Sequence, residues 1–340
     1  MLRNNFDLLR FALAANVVLF HLYVLSGLEA LAPLRAIANG AYAVLGFFAI
    51  SGYMVSLSWR RCDSWRDYAS RRARRLLPGY LAVVLFWVVA GGAIGSLPLS
   101  EYFSAPGTWK NLGANLTFLQ PLAPTLPGLF TANPALTAVN GSLWSIRSEI
   151  LCYFLLPLGV RFRPALAAAV ISGVAALLFQ QHEQLRVGIA QPVEAFFLGA
   201  CVAASPFLRK WLGLAGAASA ALLLSMHFFP IPGEHALMPF AISFCALAAG
   251  LSLPYLGHAS SFGDFSYGLY LWHFPLIQTL LLSRTWTADS PWTFAGLGAV
   301  AAMAFAVASW FLVERRFLRR RSLIDPPAGT LQTAPGRSRG

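Results

Sequence analysis

Long apolar runs, separated by short connections rich in Arg, Pro or Gly, dominate the pattern of this chain. They fall at 8–28, 40–59, 76–97, 142–160, 165–181, 187–204, 211–229, 235–253, 264–283 and 291–313. A helix of about 20 apolar residues crosses a bilayer, so the pattern predicts an all-α polytopic bundle of about ten transmembrane helices. Gln180, Gln181, His182 and Glu183 punctuate the junction of the fifth and sixth runs, and Pro192 and Glu194 interrupt the sixth. No convincing cleavage site follows the first run, so it reads as a membrane helix and not a signal peptide. The connection 98–141 is rich in Pro, Gly, Asn and Thr and holds an apolar stretch at 112–122. That stretch is too short to span and reads as a re-entrant or interfacial segment. Beyond Arg321 no apolar period remains. The expected organisation is a membrane domain over 1–318 and a disordered basic cytoplasmic tail over 319–340.

Composition agrees with this pattern. The chain has 57% hydrophobic and 11% charged residues and a mean hydropathy of +0.62, whereas soluble domains carry about 25% charged residues. The net charge of +12 raises the question of nucleic acid, but the basic residues lie beside apolar runs, as in loops facing anionic cytoplasmic lipid. With the N-terminus inside, 20 of the 25 basic residues fall on the cytoplasmic side, and Arg35, Lys110, Arg147, Arg186 and Arg284 fall outside. Both termini are therefore expected in the cytoplasm. Cys62, Cys152, Cys201 and Cys245 form neither close pairs nor a cluster with His, so neither a disulfide framework nor a metal site is indicated.

Ionisable groups inside the runs carry the candidate chemistry, because charge is costly in lipid. Arg10 and His21 lie eleven residues apart, on one helix face and about 16 Å apart along the axis. The imidazole is either a packed histidine bonded to a neighbouring helix or a catalytic base reached from an anion-binding mouth. Orientation turns spacing into depth. His21 and Glu149 both come out about 10 Å below the outer surface, His273 about 15 Å, and Phe48 and Ser51 about 12 to 17 Å. Helices from four parts of the chain thus bring polar groups to a similar level, where one cavity would join them. Glu149 is a candidate to fix the His21 tautomer and stabilise its cation, or else a structural ion-pair partner of Arg147 or of another helix. Glu194 reads as structural or cavity-lining. Arg71, Arg72, Arg74 and Arg75 serve topology and lipid contact, or form a phosphate-binding patch suited to Arg forks. No GxxxxGK[ST] loop and no HExxH motif occurs. No aspartate follows His21 within five residues, unlike the His–Asp pattern of glycerol-phosphate acyltransferases.

Six blocks in order then resemble acyltransferase family 3, multi-pass membrane enzymes that O-acylate bacterial surface glycans. Residues 6–21, with Arg10 and His21, look like the family's opening helix. Phe47-Phe48-Ala49-Ile50-Ser51-Gly52-Tyr53 resembles its second helix, and the run from Arg71 to Tyr80 its Arg-rich entry to the third. Asn140-Gly141-Ser142-Leu143-Trp144, with Glu149 and Tyr153, is similar to its NGSLW stretch. Residues 266–275 resemble the late SYxxYLxHxP helix, and Val313-Glu314-Arg315-Arg316-Phe317 its ending. Arg316 stands where that ending often has Pro, and Arg147 and Ser148 are unusual between Trp144 and Glu149.

The resemblance implies a His-dependent transfer of an acyl group, usually acetyl, from acyl-CoA to a hydroxyl of a sugar, polysaccharide or glycolipid at the inner membrane. Acetyl-CoA or another acyl-CoA is then a co-substrate, with no permanently bound cofactor, no metal and no nucleic-acid partner. Arg10 and the arginines 71–75 would hold the donor. His21 would act as general base or acyl carrier. Ser51 or Tyr270 would donate to the developing oxyanion, with Phe48, Trp144 and His273 also around the cavity. The competing expectation is a glycolipid or small-solute transporter or flippase that uses the same cavity without chemistry.

Overall fold

The computed structural model describes residues 4–161, 182–229, 234–257, 263–283 and 288–318. These residues form helices joined by turns, with no strand among them. Six helical stretches are long and apolar enough to cross a membrane: Phe6–Ser26, Glu29–Trp59, Trp65–Ile94, Arg186–Ala204, Glu234–Leu251 and Pro291–Phe317. A shorter apolar helix covers Leu212–Phe228. The expected run at 165–181 and the tail 319–340 lie outside the described residues. The chain is thus an all-helical membrane protein with six such helices in view.

Local signals set the helix ends near the site. Helix α1 (Phe6–Ser26) stops where Gly27 turns left-handed (φ +63°) and its N–H bonds the Tyr23 carbonyl. After the short α2 (Ala32–Ile37), α3 (Gly40–Trp59) starts at Asn39, whose side chain accepts from the Tyr42 N–H. Helix α4 (Trp65–Ile94) starts at Ser64, which accepts from Asp67 N–H. By pattern alone, residues 60–75 are a loop and a span begins at 76. The Ser64 cap and Asp67 in the first turn carry the helix eleven residues further, so the four arginines ride on consecutive turns of α4.

The connection 98–141 does not stay at the surface. It forms α5 (Leu99–Ser104) and α6 (Pro106–Leu116), the latter 11 residues long and too short to span. Tyr80, midway along α4, donates to the Asn115 carbonyl at 2.8 Å. Asn133 donates to the Gln278 carbonyl and side-chain oxygen, both at 2.8 Å, and Asn140 to the Leu271 carbonyl at 2.8 Å. The segment therefore packs against the middle of α4.

After α7 (Trp144–Arg161), α8 (Gln191–Ala204) packs on α3 through two glycines. A Cβ at Gly52 would lie 1.8 Å from the Phe196 carbonyl oxygen, and one at Gly199 2.0 Å from that of Ala49. Only glycine allows backbones so close. Then follow α9 (Leu212–Phe228), α10 (Glu234–Leu251), α11 (Phe265–Leu280) and α12 (Pro291–Ser309). Helix α11 is buried from Gly268 to Gln278 and touches α1, α4 and α12. It is the central post of the bundle. Cys62, Cys152, Cys201 and Cys245 are free thiols.

Candidate active site

A cavity of about 860 Å³ opens between α1, α3, α4, α7 and α11. One end is charged. Arg10 from α1 and Arg71, Arg72, Arg74 and Arg75 from α4 line it, together with the carboxylates of Asp7, Asp67, Glu149 and Asp264. Five guanidinium groups against four carboxylates leave little net charge, so arrangement decides what binds. Arg71 pairs with Asp67 at 2.7 Å, one turn away on α4. Arg10 and Arg75 converge on a single oxygen, Asp264 Oδ2, at 2.9 and 2.5 Å. Ser266 donates to the other oxygen at 2.6 Å. Burial alone would raise the Asp264 carboxyl. The guanidinium of Arg10, then that of Arg75, outweighs burial and holds it below the usual carboxylate range. Arg72 donates to Ser58 Oγ at 3.3 Å, lies 5.9 Å from the Tyr153 ring and leaves its Nε unpartnered.

The middle of the cavity is apolar on one side and hydroxylic on the other. Phe47, Phe48, Ile50, Ser51 and Met54 of α3 face Glu149, Tyr153, Tyr267 and Tyr270 around it. Tyr153 donates to Glu149 Oε1. Glu149 therefore has Tyr153 as its hydrogen-bond partner, one turn along α7.

The far end closes with Val44, Phe47, Ser145 and Tyr270. The Phe47 and Tyr270 rings stand edge to face, with centroids 6.0 Å apart. Tyr270 OH lies 2.7 Å from Ser145 Oγ and donates to the Ser142 carbonyl at 2.9 Å. Ser142 Oγ lies 3.3 Å from His273 Nε2, and the same nitrogen lies 3.0 Å from His21 Nδ1. His273 is fully buried, whereas His21 is partly exposed. Ser142 thus stands between the cavity end and the paired imidazoles, its carbonyl accepting from Tyr270 and its hydroxyl meeting His273, and the imidazoles lie just beyond the cavity wall.

The sequence-predicted residues divide accordingly. Arg10, the four α4 arginines, Phe48, Ser51, Glu149 and Tyr270 share the cavity. His21 and His273 pair behind it. Trp144 is partly buried beside Gly188 and is not in the wall. The partner expected for the His21 imidazole was Glu149; the structure puts His273 there, because α11 and not α7 is the helix packed along α1 at that level. Glu194 is buried in α8, outside the cavity wall. Asp264 escaped the sequence reading. Its only signal is an acidic residue at the start of the run 264–283, on the arginine-rich side. Among the described residues no group of three or more His, Cys, Asp or Glu gathers as a metal site.

With this geometry in view, comparison with known proteins decides the family. A family model described as an acyltransferase domain matches residues 3–311. The chain belongs to this acyltransferase family. It is an enzyme of acyl transfer, as the six sequence blocks implied. It is also similar to an O-acetyl transferase of Shigella phage Sf6, with 29% identity over 334 residues, covering 94% of this chain and 97% of the phage protein. No solved structure matches this acyltransferase.

Proposed function

We propose that this acyltransferase is an inner-membrane O-acetyltransferase that moves acetyl from acetyl-CoA to a hydroxyl of a sugar, polysaccharide or glycolipid. One observation carries the reading: a single cavity has arginines from two helices at one end and, across Ser142 at the other, a hydrogen-bonded pair of imidazoles. Arg forks suit the phosphates and pyrophosphate of coenzyme A. The name of the phage relative supports acetyl as the group carried.

In this reading both termini and the arginine end face the cytosol, where acyl-CoA is found. The pantetheine arm lies along Phe48, Ser51 and Tyr153, and the thioester reaches the Phe47–Tyr270 wall. The acceptor arrives from the opposite side, where His21 keeps some exposure. His21 either takes the proton of the acceptor hydroxyl as its oxygen attacks the thioester carbonyl, or carries the acetyl group between the two. In both routes the carbon–sulfur bond breaks and coenzyme A leaves as thiol. Ser51 or Tyr270 donates to the oxyanion.

Mass spectrometry of surface glycans from strains with and without the gene tests this. The expected result is an acetyl-sized mass difference, lost in His21→Ala while the protein stays in the membrane at the wild-type level. Identical glycans in all three strains, with no acetyl-CoA turnover by the purified protein, would remove the reading.

A further inference from the structure

We propose that His273 is a positioning residue that fixes the tautomer of His21, keeping its proton on Nδ1 and leaving Nε2 as the reacting nitrogen. This rests on the assignment of His21 as base or acyl carrier and specifies which of its atoms works.

The argument starts from a backbone carbonyl. His273 Nδ1 lies 3.0 Å from the carbonyl oxygen of Leu269, one turn back along α11. A carbonyl only accepts, so His273 carries a proton on Nδ1. The ring is fully buried, and its hydrogen-bond partners are the Leu269 and Tyr270 backbone, the Ser142 hydroxyl and His21. None is a carboxylate. A buried cation without a counter-ion is costly, so the ring is neutral. A neutral imidazole has one N–H, and His273 Nε2 is therefore a bare lone pair.

That lone pair faces His21 Nδ1 at 3.0 Å and Ser142 Oγ at 3.3 Å. Two lone pairs at 3.0 Å would repel, so His21 Nδ1 bears its proton and donates it to His273. The single N–H of neutral His21 is then used, and its Nε2 is left basic. The order of command runs from the α11 backbone to His273 to His21, with the Val17 carbonyl, one turn back on α1, as a second acceptor beside the His21 ring. His273 plays the part that a buried carboxylate plays in orienting a catalytic histidine. When His21 Nε2 accepts a proton or an acyl group, the ring becomes cationic. Its Nδ1–H bond to His273 then becomes charge-assisted and strengthens. The Phe274 and Phe20 rings, with centroids 5.2 and 5.4 Å from that of His21, limit its rotation and hold the plane in which Nδ1 meets His273.

Histidine nitrogen NMR on the purified full-length protein reads the tautomer directly, with His21→Ala supplying the assignment. The expected result in the wild type is a protonated Nδ1 and a bare Nε2 on His21. His273→Leu should mix the two tautomers and lower kcat roughly 10- to 100-fold, by analogy with outer-shell partners that orient metal-bound histidines, with the donor KM unchanged. His273→Gln keeps an oxygen acceptor near the place of Nε2 and should recover most of that loss. A wild-type His21 protonated on Nε2 overturns the proposal while leaving His21 as a base acting through the other nitrogen. So does a His273→Leu protein with unchanged tautomer and full kcat. Full turnover by His21→Ala would remove the underlying functional assignment instead, and the proposal with it. The wild-type spectrum keeps the test decisive even where a variant fails to fold.

Discussion

Asp264 holds two arginines that come from segments far apart in sequence. Arg10 sits on α1 and Arg75 on α4, and the carboxylate stands just before α11. Without it, two guanidinium groups would face each other at the mouth of the cavity. Asp264→Asn removes the charge and keeps the shape. A charge-assisted hydrogen bond contributes about 1.5–3 kcal/mol, so the variant should unfold at a lower temperature in detergent at neutral pH. Its donor KM should rise more than its kcat falls, because the pair frames the donor end. The pH dependence has a definite sign. The folded carboxyl titrates below its unfolded value, so its stabilisation is complete above the unfolded pKa of about 3.9 and is lost as pH falls through the folded one. The thermal gap between wild type and Asp264→Asn should therefore be constant from pH 7 to about 5 and shrink below about 4. A gap independent of pH down to acid unfolding would show that this carboxylate holds nothing.

At the scale of elements, the contact of α3 with α8 should fail first under mutation. Carbonyl oxygens of Phe196 and Ala49 occupy the places where side chains on Gly52 and Gly199 would begin. Gly199→Ala must push the helices apart, and overpacking of this kind costs about 1–3 kcal/mol or more. Reduced yield of folded protein after detergent extraction, with a matching loss for Gly52→Ala, is the expected outcome. Gly113→Ala, where a Cβ meets nothing within 4 Å, should extract normally. These elements also show what a sequence can reveal. The described long helices were legible because apolar length is a local property that survives any packing. The extension of α4 below residue 76 was hidden because its arginines read as a loop, although Ser64 and Asp67 carry an N-terminal signature. That the 98–141 connection holds no spanning helix was legible from an apolar stretch too short to cross. The four arginines of α4 were legible too, since they crowd into one segment, whereas their meeting with Arg10 through Asp264 was not. The pairing of His21 with His273 was not, since 252 residues separate them and depth alone put four helices at one level. From depth, Glu149 is the partner named for the imidazole and His273 only a cavity neighbour; helix packing reverses the two.

For the whole molecule, function and orientation are one question. The cavity is charged at the end near the start of α4 and closed near the middle of the bundle, so only one direction of insertion gives its arginines access to cytosolic acyl-CoA. Asp63 is exposed immediately before α4, and Lys110 is exposed on α6, which follows the other end of α4. Single cysteines at these two positions report the two sides, provided that Cys62, Cys152, Cys201 and Cys245 are first replaced. In intact spheroplasts a membrane-impermeant maleimide should label Lys110→Cys and spare Asp63→Cys, and permeabilisation should expose the second. Coenzyme A added to permeabilised membranes should then slow labelling at a third site, Ser58→Cys, because Ser58 lines the cavity beside Arg72. It should leave Lys110→Cys untouched. The opposite labelling pattern would place the arginine end outside the cell, where no acyl-CoA pool supplies it. Normal orientation with no protection at Ser58 would separate the cavity from the donor and leave the arginines to topology and lipid contact alone.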